Sequence, residues 1–335
     1  MTSGGKTDMT EQTDMSAWPE TLEYAPIVIG VYMRLDLLRQ TIGALKQNTL
    51  APQSALFLFS DAPGHPEHAG AIREVRNYLH TITGFKHVIV VEREKNFGPL
   101  NNFTDAFKRI LDRYDRYISI EEDIETSPYF LQYMNDALTV YRDDPRVMGV
   151  SSCKLPFRDD PERKEVFFMH HFNPWGNAMW KKWRENSLRY GAAELLTKLG
   201  EKKLLAKFDY YSSFIVSNSR MLRMTAAGKM NAMDVTISGN ILLQGGYVVY
   251  PPRSLSNHIG FGDGVHCTVK MTDYLSELAD GPVTVTRREV REDPMLVGRF
   301  HRWLLRVHVK LLFKYLVTLG PIRNLIRAKH KNREF

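Results

Sequence analysis

Three consecutive acids, Glu121, Glu122 and Asp123, close a short β-branched and aromatic run that begins at Tyr117. Adjacent carboxylates repel one another, and a fold tolerates them best where a cation or ligand hydroxyls share the site. A strand that carries acids to its C-terminal end is also where an open α/β sheet places ligand chemistry. A solvated acidic turn ahead of a helix is the competing reading, and the other candidate residues bear on the choice. Asp61 sits in the turn Ser60-Asp61-Ala62-Pro63-Gly64, where Asp is an ordinary turn residue. Asn96, Gly98 and Asn101 open a helix whose N-terminus suits phosphate or ribose oxygens, although Asn also caps helices well. Arg34 follows the first apolar run and could pair with anionic oxygens. Trp175 and Trp180 bracket Gly176 to Met179. Aromatic faces stack on sugar rings, and tryptophans equally fill cores. Asp234 begins a helix-like stretch, as a carboxylate able to take a proton or as an N-cap. His258 and His266 bound a glycine-punctuated loop, within which Asp263 is accounted for by its Gly-Asp-Gly turn.

These residues need elements to position them. Apolar runs at 26–32, 55–59, 87–91 and 117–120 predict strands, with another at 146–151 and a short one at 247–250. Between the first four lie helix-periodic stretches carrying Leu38 and Ile42, then Ile72 and Val75, then Phe103 and Phe107. Continuous apolar strands alternating with amphipathic helices predict a parallel sheet covered on both faces. Ser127 and Pro128 read as the N-cap and first residue of a helix running to about Tyr141. From Cys153 to Arg184 the pattern is irregular and aromatic, and a mixed helical region follows to about Ala227. No Gly-x-Gly-x-x-Gly follows the first strand, and no Gly-x-x-x-x-Gly-Lys-Ser/Thr occurs. Dinucleotide and P-loop chemistry therefore lack their usual fingerprints.

The chain has 335 residues, 43% of them hydrophobic, enough for one large α/β domain with an appendage. Two cysteines without metal-type spacing argue against a disulfide scaffold or zinc site and suit a reducing compartment. Residues 1–22 lack an apolar run and read as a disordered leader rather than a secretory signal. The net charge of +7 is uneven. From Arg287 onward there are 13 Lys and Arg against 4 Asp and Glu, so the tail holds the positive charge and the body is nearly neutral. Such a tail wants an anionic partner.

Taken together, Arg34 and Asp36, the Ser60-Asp61 turn, Asn96-x-Gly98-x-x-Asn101-Asn102, Glu121-Glu122-Asp123, Trp175-Gly176-x-Ala178-x-Trp180, Asp234 and the Asn257-His258-Ile259-Gly260-Phe261 loop with His266 resemble the GT-A type glycosyltransferases. Within them the chain resembles bacterial family-2-like enzymes and the N-acetylglucosaminyltransferase I group, over roughly residues 24–270. The resemblance implies the GT-A nucleotide-diphospho-sugar transferase fold over 23–275, an open, mostly parallel Rossmann-like sheet with flanking helices. Its donor half would be 23–152 and its acceptor half 153–275, with a basic amphipathic tail at 276–335. It further implies a hexosyl or N-acetylhexosaminyl transfer from a nucleotide-diphosphate sugar to a glycan or lipid-linked acceptor. Asp123 and His266 would hold Mn²⁺ or Mg²⁺. Arg34, Asp61, Asn96, Gly98, Asn101, Glu121 and Glu122 would bind the donor, Trp175 and Trp180 would form the acceptor side, and Asp234 would be the general base of an inverting reaction. Two departures stand out: such families commonly carry Asp-x-Asp or Glu-Asp-Asp where this chain has Glu-Glu-Asp, and Trp where it has Met233.

From Leu296 to Leu319 the pattern is helical, with Arg302, Arg306, Lys310 and Lys314 as a basic stripe beside a broad apolar face. The stretch is too interrupted by charge to cross a bilayer but suits a helix lying on an anionic membrane surface, here the cytoplasmic face. A helix docked on the catalytic domain or in a homodimer contact is the competing reading. Nucleic acid is disfavoured, since the body has no basic face in composition and no binding motif. Two further functions compete with transfer: a sugar nucleotidyltransferase, whose Gly-rich basic loop is missing after the first strand, and a catalytically silent carbohydrate-binding module.

Overall fold

The structure, a computed structural model, describes residues 15–160, 162–213, 215–260 and 272–319, with side chains as far as Phe313 in the last segment. Ten strands are described: β1 (Ile27–Val31), β2 (Ala55–Ser60), β3 (His87–Glu92), β4 (Arg116–Glu121), β5 (Ile124–Thr126), β6 (Val147–Ser151), β7 (Phe167–Met169), β8 (Asn177–Trp180), β9 (Tyr247–Tyr250) and β10 (Ser256–His258). The helices among them are α1 (Leu35–Lys46), α2 (Ala69–Leu79), α3 (Gly98–Arg113), α4 (Phe130–Val140), α5 (Lys181–Ser187), α6 (Ala192–Glu201), α7 (Leu205–Tyr210), α8 (Asn218–Ala226), α9 (Met233–Leu243) and α10 (Pro294–Leu319).

Eight strands form one sheet in the order β3-β2-β1-β4-β8-β6-β9-β7, and β10 pairs with β5 in a separate two-stranded ladder. The first four are parallel, as is β6 with β9, while β8 runs antiparallel between β4 and β6. This is the expected open, mostly parallel α/β sheet with flanking helices. Alternate residues of each strand go to opposite faces. Ile27, Ile29, Leu56 and Leu58 pack under α1, α2 and α4 with Leu38, Val75 and Met134. Val28, Phe57 and Phe59 pack the other way, with Phe107 and Ile110 of α3. Both faces are covered, so the strands read as unbroken apolar runs rather than alternating ones.

Two boundaries differ from expectation. Residues 15–22 are part of the domain: Trp18 is buried with its ring 4.9 Å from Phe57, and the Arg113 guanidinium donates to the carbonyls of Trp18 and Pro19. Helix α4 starts at Phe130 with Tyr129 at its N-cap, and the Ser127 hydroxyl both accepts the Tyr129 N–H at 3.3 Å and donates to the Ala279 carbonyl at 2.6 Å. Residues 23–152 and 153–275 share one sheet, since β8 from the latter is hydrogen-bonded to β4 of the former. The segment from 276 packs against the domain, as Tyr141 donates to the Thr286 carbonyl and Phe300 of α10 is buried among Phe157, His171 and Tyr211.

Candidate active site

Strand β4 ends at Glu121, in register with Gly30 of β1. The chain then turns through Glu122 and Asp123 into β5. Because β5 pairs antiparallel with β10, His258 falls opposite Ile124, and the Asp123 carbonyl accepts the Ile259 N–H at 2.8 Å. That short ladder sets His258 Nε2 3.2 Å from Asp123 Oδ2. Gly260 follows directly, and any β-carbon there would overlap the Asp123 carboxylate. Glycine is thus the residue the backbone needs to pass so close to the acid.

Glu121, Asp123 and His258 each present a potential ligand atom, all within 4.8 Å of one another, the single such group among the described residues. Asp123 is buried, and its Oδ1 has no hydrogen-bond partner among the described residues. Two carboxylate oxygens and an imidazole nitrogen are donors that a divalent cation accepts, and an orphaned buried carboxylate oxygen is what such an ion would satisfy. The residues present therefore fit a metal. His266 lies outside the described residues, and His258 is the histidine found against Asp123.

The middle acid behaves differently. Glu122 Oε1 accepts from Arg34 Nε at 2.7 Å, and Oε2 accepts the Tyr32 N–H at 2.8 Å. Its carbonyl accepts from the Thr41 hydroxyl of α1. Both carboxylate oxygens thus serve the protein, and Glu122 fixes the loop after β1 rather than facing a ligand. Arg34 continues the fork, with Nη1 2.7 Å from Asp123 Oδ2. Burial pushes the Asp123 carboxyl upward, but His258 and Arg34 outweigh it and hold it below the usual carboxylate range. Glu121 moves the other way, to about 7, through burial first and then the Asp123 charge; Asp234 adds a smaller push in the same direction.

The Asp61 cluster sits at the same end of the sheet, two strands from Glu121, so about 10 Å away at the usual strand spacing. Asp61 is buried. Its Oδ1 accepts the N–H of Ala62 and of Phe97, and its Oδ2 accepts the N–H of Gly98 and the Asn96 amide. Asp61, Asn96 and Gly98 thus come together, with Asp61 organising the loop. Gly98 has φ +72°, a conformation that favours glycine at the entry to α3. Asn101 is exposed and donates back to the Phe97 carbonyl. Arg93 and Asp105, beneath this loop, were not among the candidates from sequence. Arg93 is buried, its guanidinium 4.6 Å from the Phe97 ring centroid and 2.6 Å from Asp105, and Asn102 accepts from Arg93 while donating to the Phe59 carbonyl. A buried charge of this kind gives no periodic signal.

The tryptophans separate. Trp175 stands beside the triad, its ring centroid 5.2 Å from that of His258. Trp180 is paired opposite Arg116, at the start of β4 and so at the other end of the sheet from the acids. It is buried and donates its indole N–H to the Leu138 carbonyl, so it belongs to the core and not to an acceptor site. Asp234 occupies the first turn of α9, where burial raises its pKa against the pull of nearby backbone N–H groups. It lines a cavity of about 130 Å³ with His171, Ser212, Val216, Leu304 and His308. A larger cleft of about 410 Å³ surrounds Asp115, Arg142 and Lys182 at the other end of β4. Asp115 is paired there with Arg142, and no three metal-ligating side chains converge in it among the described residues, so the chemistry belongs with the acids.

No protein-family model and no curated protein matches the sequence. Among solved structures the fold is similar to S. aureus TarS (TM-score 0.38, 10% identity, 70% of this chain and 36% of that one). It is similar to residues 1–349 of the same protein (TM-score 0.37, 10% identity, 70% and 59%) and to GalNAc-T7 with UDP, GalNAc and Mn²⁺ (TM-score 0.43, 11% identity, 70% and 43%). The chain therefore spans less than two thirds of each of those chains. At this degree of superposition the likenesses carry no argument, and the chemistry rests on the site itself.

Proposed function

We propose that the chain is a metal-dependent glycosyltransferase of GT-A type, moving a sugar from a nucleotide-diphosphate donor to a glycan or lipid-linked acceptor. The carrying observation is the convergence of Glu121, Asp123 and His258 within 4.8 Å at the C-terminal end of β4. The donor lies along the ends of β1 to β4, with its diphosphate toward the triad and its nucleoside toward the loop that Asp61 organises. Glu121, Asp123 and His258 would hold the cation, which supplies positive charge for a departing diphosphate. A nitrogen ligand among the oxygens favours Mn²⁺ over Mg²⁺, whose sites are built almost entirely from oxygen.

The protein's own residues do the rest. Arg34 neutralises the acids around the site and fixes the orientation of Asp123. Trp175 offers an aromatic face beside the triad. Asp234, with its affinity for protons raised by burial, accepts the proton of the acceptor hydroxyl. The hydroxyl oxygen bonds to the anomeric carbon from the face opposite the leaving group. The bond from that carbon to the diphosphate breaks, and the nucleoside diphosphate leaves with the electron pair. The configuration is inverted. The transferred sugar is a hexose or N-acetylhexosamine.

The test is thermal stabilisation of the full chain by a panel of nucleotide sugars with Mn²⁺. One donor is expected to raise the melting temperature only when Mn²⁺ is present. Asp123→Asn removes that response, whereas Asp234→Asn keeps it but loses transfer. A chain that binds no donor would instead be a silent module on this fold.

A further inference from the structure

Helix α10 is anchored on one face and apolar on the other. Leu296, Val297, Phe300, Leu304 and Val307 are buried against the domain. His301 stacks on Tyr210 with ring centroids 4.2 Å apart. His308 is held from both sides, by the Ser213 hydroxyl at 2.6 Å and the Tyr274 hydroxyl at 3.0 Å, and Lys310 pairs with Asp273. At about 100° per residue, Met295, Arg302, Arg306, Val309 and Phe313 fall on the opposite face, along about 27 Å of helix. Among them Met295 is 63% exposed, Val309 49% and Phe313 66%, with Leu312 beside them at 40%. A solvent-facing helix surface ordinarily carries charge rather than a Phe two-thirds open to water.

The charge indicates what covers it. From Pro294 to Phe335 the sequence has ten Lys and Arg against a single acid, Glu334. Arg302 and Arg306 are exposed on the same face as the apolar residues. An apolar strip set among cations is complementary to an anionic bilayer, where side chains enter the acyl boundary and the cations meet headgroups. No helix among the described residues is long and apolar enough to cross a membrane, so α10 would lie on the surface.

We propose that the outer face of α10 is a docking surface for an anionic lipid bilayer, and that it delivers an amphiphilic, lipid-linked acceptor to Asp234. The second part rests on the transferase reading above. Leu304, His308 and Leu312 are spaced by four residues and form one ridge along α10. Leu304 and His308 line the cavity that Asp234 also lines, and Leu312 emerges at the exposed face. The ridge spans about 12 Å at the helical rise. An acceptor held in the bilayer by its lipid reaches the cavity along this ridge.

The experiment is co-sedimentation of the full chain with vesicles of phosphatidylglycerol and phosphatidylcholine, against phosphatidylcholine alone, with light scattering of the protein by itself. The expected result is binding at least tenfold stronger to the anionic vesicles and weakened by salt. The triple variant Val309→Ser, Leu312→Ser, Phe313→Ser, and separately Arg302→Gln with Arg306→Gln, should each reduce it about tenfold or more with unchanged circular dichroism. Equal binding to both vesicles, or undiminished binding of both variants, overturns the proposal. So does a dimer in solution that the triple variant dissolves, since the covering partner would then be a second copy. Donor stabilisation with Mn²⁺ on the same samples separates the two ideas: it tests the transferase reading and does not depend on vesicles.

Discussion

Arg34 Nη1 and Asp123 Oδ2 lie 2.7 Å apart, and the same guanidinium reaches Glu122 Oε1 through Nε at 2.7 Å. One planar fork thus spans two consecutive acids whose side chains are 6% and 1% exposed, while the arginine side chain is itself 26% exposed. Removing the cation from a nearly buried pair leaves uncompensated carboxylates. Arg34→Gln is expected to lower stability by about 2–3 kcal/mol, below the fully buried case because solvent reaches the guanidinium. Arg34→Lys should recover less than half of that, since a single ammonium cannot reproduce two directed contacts. Urea unfolding measures both, and a fully competent lysine would show that charge alone matters.

Asp61 makes its contribution through four donors on the 61–98 loops. Asp61→Ala leaves the N–H groups of Phe97 and Gly98 without their acceptor, at a cost of about 1–3 kcal/mol for each buried group left unsatisfied. The expected outcome is faster amide exchange at Phe97 and Gly98, with donor affinity falling in parallel. Loss of affinity with unchanged exchange would instead mean that Asp61 touches the nucleotide directly.

Gly260 lies against Asp123, so Gly260→Ala must displace the carboxylate or its own backbone. The predicted effect is at least a tenfold loss of Mn²⁺ affinity, read by the electron paramagnetic resonance of the free ion. Retained affinity would show that the metal is held without Asp123 in its present position.

Burial of the imidazole pulls His171 down to about 4, and His170 and His308 are also lowered by burial. A lowered histidine stays neutral in the folded chain while the unfolded chain takes up a proton. The stability it contributes is therefore complete above the unfolded pKa near 6.5 and is lost as pH falls from there toward about 4. For His171 the loss is at most ~3 kcal/mol. His171→Leu should flatten the acid limb of a melting-temperature profile, and an unchanged profile would place the acid sensitivity elsewhere.

Much of the donor end was legible from sequence, for a physical reason. β1 to β4 are buried on both faces, so they appear as apolar runs, and turn residues such as Ser60 and Asp61 mark their ends. The acids at the end of β4 could be placed from that pattern alone. The ladder of β5 with β10 could not, because Ile124–Thr126 and Ser256–His258 are three-residue strands made by tertiary pairing. That ladder is what brings His258 to Asp123, so the choice between His258 and His266 had no local signal to decide it. Trp180 was misplaced because β8 is four residues long within an aromatic stretch, and only its register opposite Arg116 shows which end of the sheet it occupies. In α10 the apolar residues were visible, but their division between a docked and an open face depends on where Tyr274, Tyr211 and Phe157 stand.

The most direct test of the central claim is release of nucleoside diphosphate from a panel of nucleotide sugars, with and without Mn²⁺, by the full chain and its Asp123→Asn variant. Mn²⁺-dependent release from one donor is expected, reduced at least a hundredfold in the variant. Release from no donor under any metal condition, or equal release by the variant, would contradict it.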